Sequence, residues 1–292
     1  MTLTPHGQRS LLRRFGLLLV FLLTACGGGG DPAAPQRVVY ASAVLVHPSD
    51  RIITDEPGFN THLQLIAETD PVKSVAAQSG LPGQIILAVG DTRNVGFHDL
   101  EVYLLEAIKH PRIGMVYLYD ELFWNGQRIE IGRDEAALNA AARQVHAAGL
   151  RTVVSMLPDV ILAPNFAMTD INALDVIAID VYPAGRSNYA YGVCAYNANR
   201  LTTLLFCSMQ KLKAMGYRGE VWYVSEGFGV TSEPFDALRE KLVRQRETMR
   251  DAKNFGVSGI VPFGLYLGAG ELQREPHLYQ GQGSALQDIV RP

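Results

Sequence analysis

The feature that most constrains the fold is a repeated alternation of short apolar segments with amphipathic ones. Seven apolar segments are rich in β-branched residues and have the length of strands, at 38–46, 84–89, 114–119, 151–156, 176–181, 220–225 and 259–265. Helical patterns lie between them, and three of these, at 134–148, 201–215 and 235–255, end at Gly149, Gly216 and Gly256. A glycine that stops a helix just before a buried strand is typical of βα repeats. The sequence therefore predicts an α/β protein with a parallel sheet.

The strand ends favour a closed barrel over an open sheet. Each strand is a nearly continuous apolar run, as expected when both faces of a sheet are covered. Polar and aromatic residues follow the strands, where a (β/α)₈ barrel of the TIM type has its active site. An eighth strand has to lie between 47 and 82, and 63–67 is the best segment. An open doubly wound sheet is the alternative, but the first βα turn lacks its glycine-rich phosphate fingerprint. We expect one barrel domain over residues 37–292.

The N-terminus has the pattern of a secretory signal peptide. Three arginines between positions 9 and 14 precede the apolar run 15–23, which is too short to cross about 30 Å of hydrocarbon comfortably. The residues Leu23-Thr24-Ala25-Cys26 resemble the lipobox of bacterial lipoproteins. This resemblance implies that residues 1–25 are removed and that Cys26 is acylated, with 26–36 as a flexible tether. The alternative is an ordinary signal peptide that happens to contain a cysteine.

The same resemblance bears on the cellular location. Gly27 stands where lipoproteins retained in the inner membrane carry Asp, which favours the bacterial outer membrane and a lipid-anchored protein of the cell envelope. In an oxidising compartment, Cys194 and Cys207 form a candidate disulfide, and two free thiols are the alternative.

Composition and motifs exclude several classes of function. The formal net charge is −3 and there is no basic block, so we expect no nucleic-acid partner. The seven histidines are scattered, with no His-Glu-x-x-His motif, so no metal site is expected. There is no P-loop and no Gly-x-Ser-x-Gly elbow, and no cofactor is implied.

Two glutamates are the strongest candidates for catalysis. Glu121 follows the strand 114–119 and Glu226 follows the strand 220–225, each where a strand opens into its loop. The arrangement resembles the retaining glycoside hydrolases of clan A, which are (β/α)₈ barrels with an acid/base Glu ending the fourth strand and a nucleophile Glu ending the seventh. When the Glu226 strand is numbered seventh, the Glu121 strand becomes the fourth. The resemblance implies that Glu121 is the acid/base, that Glu226 is the nucleophile, and that the substrate is a carbohydrate.

The chemistry explains why two carboxyl groups are needed. One protonated carboxyl gives a proton to the leaving oxygen, and one carboxylate meets the positive charge that develops on the sugar ring. One position departs from the family pattern, because Asp120 stands where clan A enzymes usually have an Asn that reaches the sugar 2-hydroxyl. Structural carboxylates at two strand ends are the alternative for this pair.

Other residues at the strand ends are candidates for substrate binding. Acidic, basic and hydroxyl groups can hold sugar hydroxyls, and an aromatic ring can stack on the apolar face of a pyranose. The candidates are Asp91, Arg93, Tyr119, Asp120, Trp124, Asp180, Tyr182, Phe228 and Tyr266. Two other functions stay open: a non-catalytic barrel that binds a glycan or a partner, and a barrel hydrolase in which Glu226 is the single essential carboxylate.

Overall fold

The computed structural model describes residues 39–46, 61–66, 70–81, 83–89, 99–124, 128–181, 201–226, 247–248, 250–252 and 254–263. Eight strands fall within these ranges: β1 (Val39–Val46), β2 (Thr61–Ile66), β3 (Gln84–Ala88), β4 (Ile113–Tyr119), β5 (Arg151–Met156), β6 (Val176–Val181), β7 (Glu220–Glu226) and β8 (Gly259–Phe263). The strand that the sequence places between 47 and 82 is β2, and it begins two residues before the predicted segment.

All neighbouring strands are parallel and follow chain order around the sheet. Because β1 pairs with β8 as well as with β2, the sheet closes into a barrel. The carboxyl ends of all eight strands therefore lie at the same end of the barrel. The strand ahead of Glu121 is the fourth, and the strand that ends at Glu226 is the seventh.

Helices alternate with the strands from β2 to β7. They are α1 (Pro71–Ser79), α2 (Leu100–Ala107), α3 (Glu135–Ala147), α4 (Pro158–Leu162) and α5 (Leu201–Ala214), with a 3₁₀ turn at Ile171–Ala173. The predicted α/β alternation is confirmed over this part of the chain. The segments that follow β1 and β8, and most of the helix predicted at 235–255, lie outside the described residues.

The helix ends follow from local chemistry. The carboxylate of Asp70 accepts hydrogen bonds from the backbone N–H groups of Val72 and Lys73, at 3.0 and 3.1 Å, and so caps the start of α1. Gly149 and Gly216 follow α3 and α5 with φ of 76° and 83°, a left-handed conformation that glycine adopts without steric cost. No helix within the described ranges is both long and apolar enough to cross a membrane.

The core has two layers separated by the sheet. The inner cluster fills the barrel, and its residues are Leu63, Ile86, Ala88, Tyr117, Val153, Val176, Ala178, Trp222, Val224 and Val261. The outer cluster is larger and packs the other strand faces against the helices. Since apolar residues cover both faces of the sheet, the strands read as continuous apolar runs in the sequence.

Polar networks hold the N-terminal end of the barrel. One oxygen of Asp175, Oδ2, lies 2.7 Å from the backbone nitrogen of Thr152, 3.0 Å from its hydroxyl oxygen and 2.8 Å from Nε2 of His146. Glu220 accepts hydrogen bonds from Arg151 at 2.6 Å and from the indole nitrogen of Trp222 at 3.0 Å. Both acids lie at the barrel end opposite the strand carboxyl ends, where polar groups of TIM barrels contribute to stability.

Candidate active site

A chain of hydrogen bonds connects the end of β4 to β5. The hydroxyl of Tyr117 donates to Oδ1 of Asp120 at 2.7 Å, and the hydroxyl of Ser155 donates to the same oxygen at 3.1 Å. The Ser155 hydroxyl oxygen in turn accepts the backbone N–H of Glu121 at 2.7 Å. Two side chains, those of Tyr117 and Ser155, therefore fix the position of the Asp120–Glu121 segment through the Asp120 carboxylate and the Glu121 amide.

The backbone at this point departs from regular strand geometry. The pairing of β4 with β5 shifts register between Tyr117 and Tyr119, as in a β-bulge. Glu121 and Phe123 have φ of 49° and 65°, a left-handed conformation that is uncommon for residues other than glycine. Such strain costs about 1–3 kcal/mol per residue and is concentrated at functional sites.

Below this segment is a cavity in the barrel interior. Its polar lining comes from Tyr117, Asp120, Ser155 and Asp180, and the indole of Trp222 contributes to its wall. The remaining lining residues are apolar: Leu63, Ile86, Val153, Ala178, Val224 and Val261. The carboxyl groups of Asp120, just after β4, and of Asp180, on β6, therefore face one largely apolar space. Asp180 is only 3% exposed.

The phenol of Tyr117 stays neutral in this setting. Burial raises its pKa well above the ordinary value, and the negative charges of Asp120 and Asp180 raise it further. Hydrogen bonding to Ser155 acts in the opposite direction but does not outweigh these effects. A neutral phenol keeps its proton, so Tyr117 serves as a fixed hydrogen-bond donor to Asp120 across the working pH range.

Several predicted site residues occupy this region. Asp120 and Asp180 line the cavity, whereas the neighbouring Glu121 is partly exposed and is not one of the cavity-lining residues. Trp124 is partly buried, packs on the outer cluster and forms an isolated antiparallel bridge with Ile129. Tyr119 is 7% exposed and belongs to the outer cluster, so its placement favours packing rather than stacking on a sugar.

Most of the remaining predicted residues lie outside the described ranges. The backbone of Glu226 ends β7 and pairs with Phe263 of β8. Cys207 is buried on α5 and is disulfide-bonded, and its predicted partner Cys194 lies outside the described residues. Also outside are Asp91, Arg93, Tyr182, Phe228, Tyr266 and Cys26. In the part of the chain that the structure describes, no three His, Cys, Asp or Glu residues are grouped to hold a metal ion.

The sequence analysis missed two polar residues of this region, Tyr117 and Ser155. The sequence did contain a signal for Ser155. It is a polar residue near the carboxyl end of a strand whose neighbouring residues are apolar, Val153-Val-Ser-Met156. Tyr117 carried no comparable signal, since an aromatic residue in the middle of a buried strand is usually a core residue.

Comparisons with solved structures identify the architecture. A glucosidase from Croceicoccus marinus matches with a TM-score of 0.54 and 10% identity, over 89% of this chain and 67% of the glucosidase. An exo-β-1,4-mannosidase from Opitutaceae bacterium strain TAV5 matches with a TM-score of 0.50 and 10% identity, over 87% of this chain and 58% of the mannosidase. These matches show a TIM-barrel fold, which this chain shares with both enzymes.

A third match cautions against assigning chemistry from this fold. The N-terminal domain of a protein assigned as an aldolase, from Bacteroides vulgatus, has a TM-score of 0.50 and 11% identity, over 87% of this chain and 85% of that domain. One barrel architecture hosts many reactions, so function has to be argued from the site. No protein-family model and no curated protein matches the sequence.

Proposed function

We propose that this protein is a glycoside hydrolase that cleaves an oligosaccharide or polysaccharide with Glu121 as the acid/base and Glu226 as the second carboxylate. The observation that carries the proposal is the position of these residues. They follow β4 and end β7 of a parallel barrel, at the end where TIM-barrel enzymes bind substrate. The glucosidase and the mannosidase that share the fold support a carbohydrate substrate.

Strand alternation supports a place for Glu226 at the barrel mouth. Trp222 and Val224 line the interior cavity. Position 226 has the same parity in β7, and alternate residues of a strand share one face. Glu121 follows β4, which lies three strands away from β7 around the ring of eight. A sugar bound at the mouth would then lie across the ends of these two strands.

The proposed roles divide the chemistry of glycosidic cleavage. Glu121 donates its proton to the leaving oxygen, and Glu226 stabilises or attacks the anomeric carbon as the bond breaks. If the carboxyl groups are about 5–5.5 Å apart, Glu226 forms a covalent glycosyl intermediate that water then hydrolyses; a wider separation admits a water and inverts the configuration. Asp120, which is partly exposed below the mouth, accepts a hydrogen bond from a sugar hydroxyl.

The cell-envelope location is the second part of the proposal. Cleavage before Cys26 and acylation of its thiol would anchor the barrel to the outer membrane through the 26–36 tether. A disulfide between Cys194 and Cys207 would join two residues 13 positions apart in the chain after β6, in keeping with an oxidising compartment. Replacing Cys26 by Ser should release the protein from the membrane fraction or block its processing. Unchanged membrane association of that variant would contradict lipid anchoring.

The decisive experiment screens a panel of β- and α-linked glycans with the wild-type protein and with two variants, Glu121→Gln and Glu226→Gln. Each variant should lose about 10²–10⁴-fold in kcat, because each removes one partner of the proton transfer or of charge stabilisation. Glu106→Gln is the matched control, since this carboxylate of α2 pairs with Lys109, just beyond the helix end, at the barrel periphery. Its turnover should equal that of wild type.

The outcomes distinguish the proposed function from the two alternative functions. Wild-type turnover with a large loss in only Glu226→Gln would favour the hydrolase with a single essential carboxylate. Glycan binding by the wild type without turnover would favour the non-catalytic barrel. Where turnover is found, the anomeric configuration of the first product, read by NMR, distinguishes retention from inversion.

A further inference from the structure

Ser155 makes three hydrogen bonds to three consecutive residues at the end of β4. Its hydroxyl donates to Asp120 at 3.1 Å and accepts from the amide of Glu121 at 2.7 Å, and its carbonyl accepts the amide of Leu122 at 2.9 Å. The Ser155 side chain is 2% exposed. A single buried residue of β5 therefore determines how the β4 chain enters its loop.

The Ser155 hydrogen bonds take the place of regular sheet pairing where the β4–β5 ladder becomes irregular. The β4–β5 pairs run in step up to Tyr117 and Val153, and then shift register before Tyr119. Beyond the shift, the amide of Glu121 bonds to a side chain instead of to a strand carbonyl. Glu121 has φ of 49°, which an L-residue keeps only where surrounding contacts require it.

We propose that Ser155 is a positioning residue of the active site, which holds Asp120 towards the cavity and Glu121 in its left-handed conformation at the barrel mouth. The inference rests on the proposed function, since it is the acid/base role of Glu121 that makes this orientation matter. Ser155 needs no contact with substrate for this task. It acts through the two residues that it bonds.

The direction of each hydrogen bond explains why a hydroxyl is required. The single proton of the Ser155 hydroxyl is given to the Asp120 carboxylate, and its oxygen remains available for the Glu121 amide. Alanine supplies neither the donor nor the acceptor. Threonine supplies both. The hydrogen bond from the Leu122 amide is accepted by the backbone carbonyl of residue 155, so it is present in wild type and in both variants.

The primary test is amide hydrogen exchange measured by NMR on wild type and Ser155→Ala. Exchange of the Glu121 amide should become at least tenfold faster in the variant, whereas the Leu122 amide, still bonded to the carbonyl of residue 155, should change little. Leu122 thus serves as an internal reference for local unfolding. This readout requires no enzymatic activity, so it remains decisive even if no glycan is hydrolysed and the proposed function fails.

Kinetics on a glycan that the wild type cleaves provides the second readout. Ser155→Ala should lower kcat by about 10–100-fold with KM nearly unchanged, because a misplaced acid/base slows the chemical step more than binding. Ser155→Thr should restore most of kcat and the slow Glu121 exchange. The matched control is Thr152→Val, which removes a hydroxyl from the same strand at the opposite barrel end, where it bonds Asp175. This control should lose stability but keep kcat.

Three results would overturn the proposal. The first is a Glu121 amide in Ser155→Ala that exchanges at the same rate as in the wild-type protein. The second is equal acceleration at Glu121 and Leu122, which would mean that the residue supports the general fold of the loop. The third is a loss of kcat in Thr152→Val as large as that in Ser155→Ala.

Discussion

Replacing Gly259 by Ala should destabilise the barrel through one defined clash. Gly259 lies directly opposite Trp222 in the β7–β8 pairing. A Cβ atom built at position 259 would lie 2.5 Å from Cγ and Cδ1 of the Trp222 indole and 2.6 Å from Cδ2. Carbon atoms in contact are ordinarily about 3.5–4.0 Å apart, so the ring or the strand has to move by about 1 Å.

The indole has little freedom to make that move. Trp222 is 1% exposed in the inner cluster, and its ring nitrogen donates to Glu220 at 3.0 Å. Overpacking a filled core costs about 1–3 kcal/mol. At about 2–4 °C per kcal/mol for a domain of this size, the melting temperature should fall by roughly 2–12 °C. Because Trp222 also lines the cavity, its fluorescence spectrum should change in the folded variant.

The matched control is Gly114→Ala in β4. There an added Cβ would lie 3.5 Å from Oε1 of Gln84, an ordinary contact, and φ is not positive. Alanine reduces the freedom of the unfolded chain, so this variant should be unchanged or stabilised by about 0.4–1 kcal/mol. Urea denaturation of both variants, followed by circular dichroism, measures the difference. Equal free energies of unfolding for the two variants would refute the packing argument.

Two further predictions concern titratable groups. Tyr117→Phe removes one of the two donors to Asp120 and should cost about 1–3 kcal/mol in unfolding free energy. Because the pKa of Tyr117 is raised, the ultraviolet difference spectrum between wild type and this variant should show no phenolate band until the protein unfolds. A phenolate band in the folded protein would contradict the raised pKa. Burial raises the pKa of Asp175, but hydrogen bonds from Thr152 and His146 outweigh it and lower that pKa overall. The carboxylate therefore stabilises the fold above its unfolded pKa of about 3.9, and this contribution is lost as pH falls through the lower folded value. The stability gap between wild type and Asp175→Asn, from urea midpoints at pH 7, 5 and 3, should narrow at the lowest pH; a gap that widens there would contradict the assignment.

Much of the barrel was predictable from local chemistry. The boundaries of β5 and β6 match the predicted segments, since continuous apolar runs of that length are buried on both faces. Gly149 and Gly216 end their helices as predicted, because only glycine enters the left-handed conformation at low cost. The β2 strand was harder to place. Its sequence, Thr-His-Leu-Gln-Leu-Ile, alternates polar and apolar residues and lacks the continuous apolar run of the other strands.

The site residues were predictable by region and not by orientation. Asp120 and Asp180 were expected at strand ends, and both line the cavity. Tyr119 was expected to face a sugar, but it packs in the outer cluster. The cause is the register shift in β4. Strict alternation from Tyr117 would put Tyr119 and Glu121 on the cavity face. The extra residue that the shift inserts in β4 reverses this alternation, so Asp120 faces the cavity instead.

Amino-acid order alone determined the repeat of strands and helices, the stops between them, and the concentration of acids at the carboxyl ends of β4, β6 and β7. These follow from hydrophobic patterning and backbone preferences, which act over a few residues. Only the folded chain decided which of two adjacent acids faces the interior and which serine fixes them in place. A one-residue offset between two strands reverses the face of every side chain beyond it, and that offset depends on contacts between residues more than 30 positions apart in the chain.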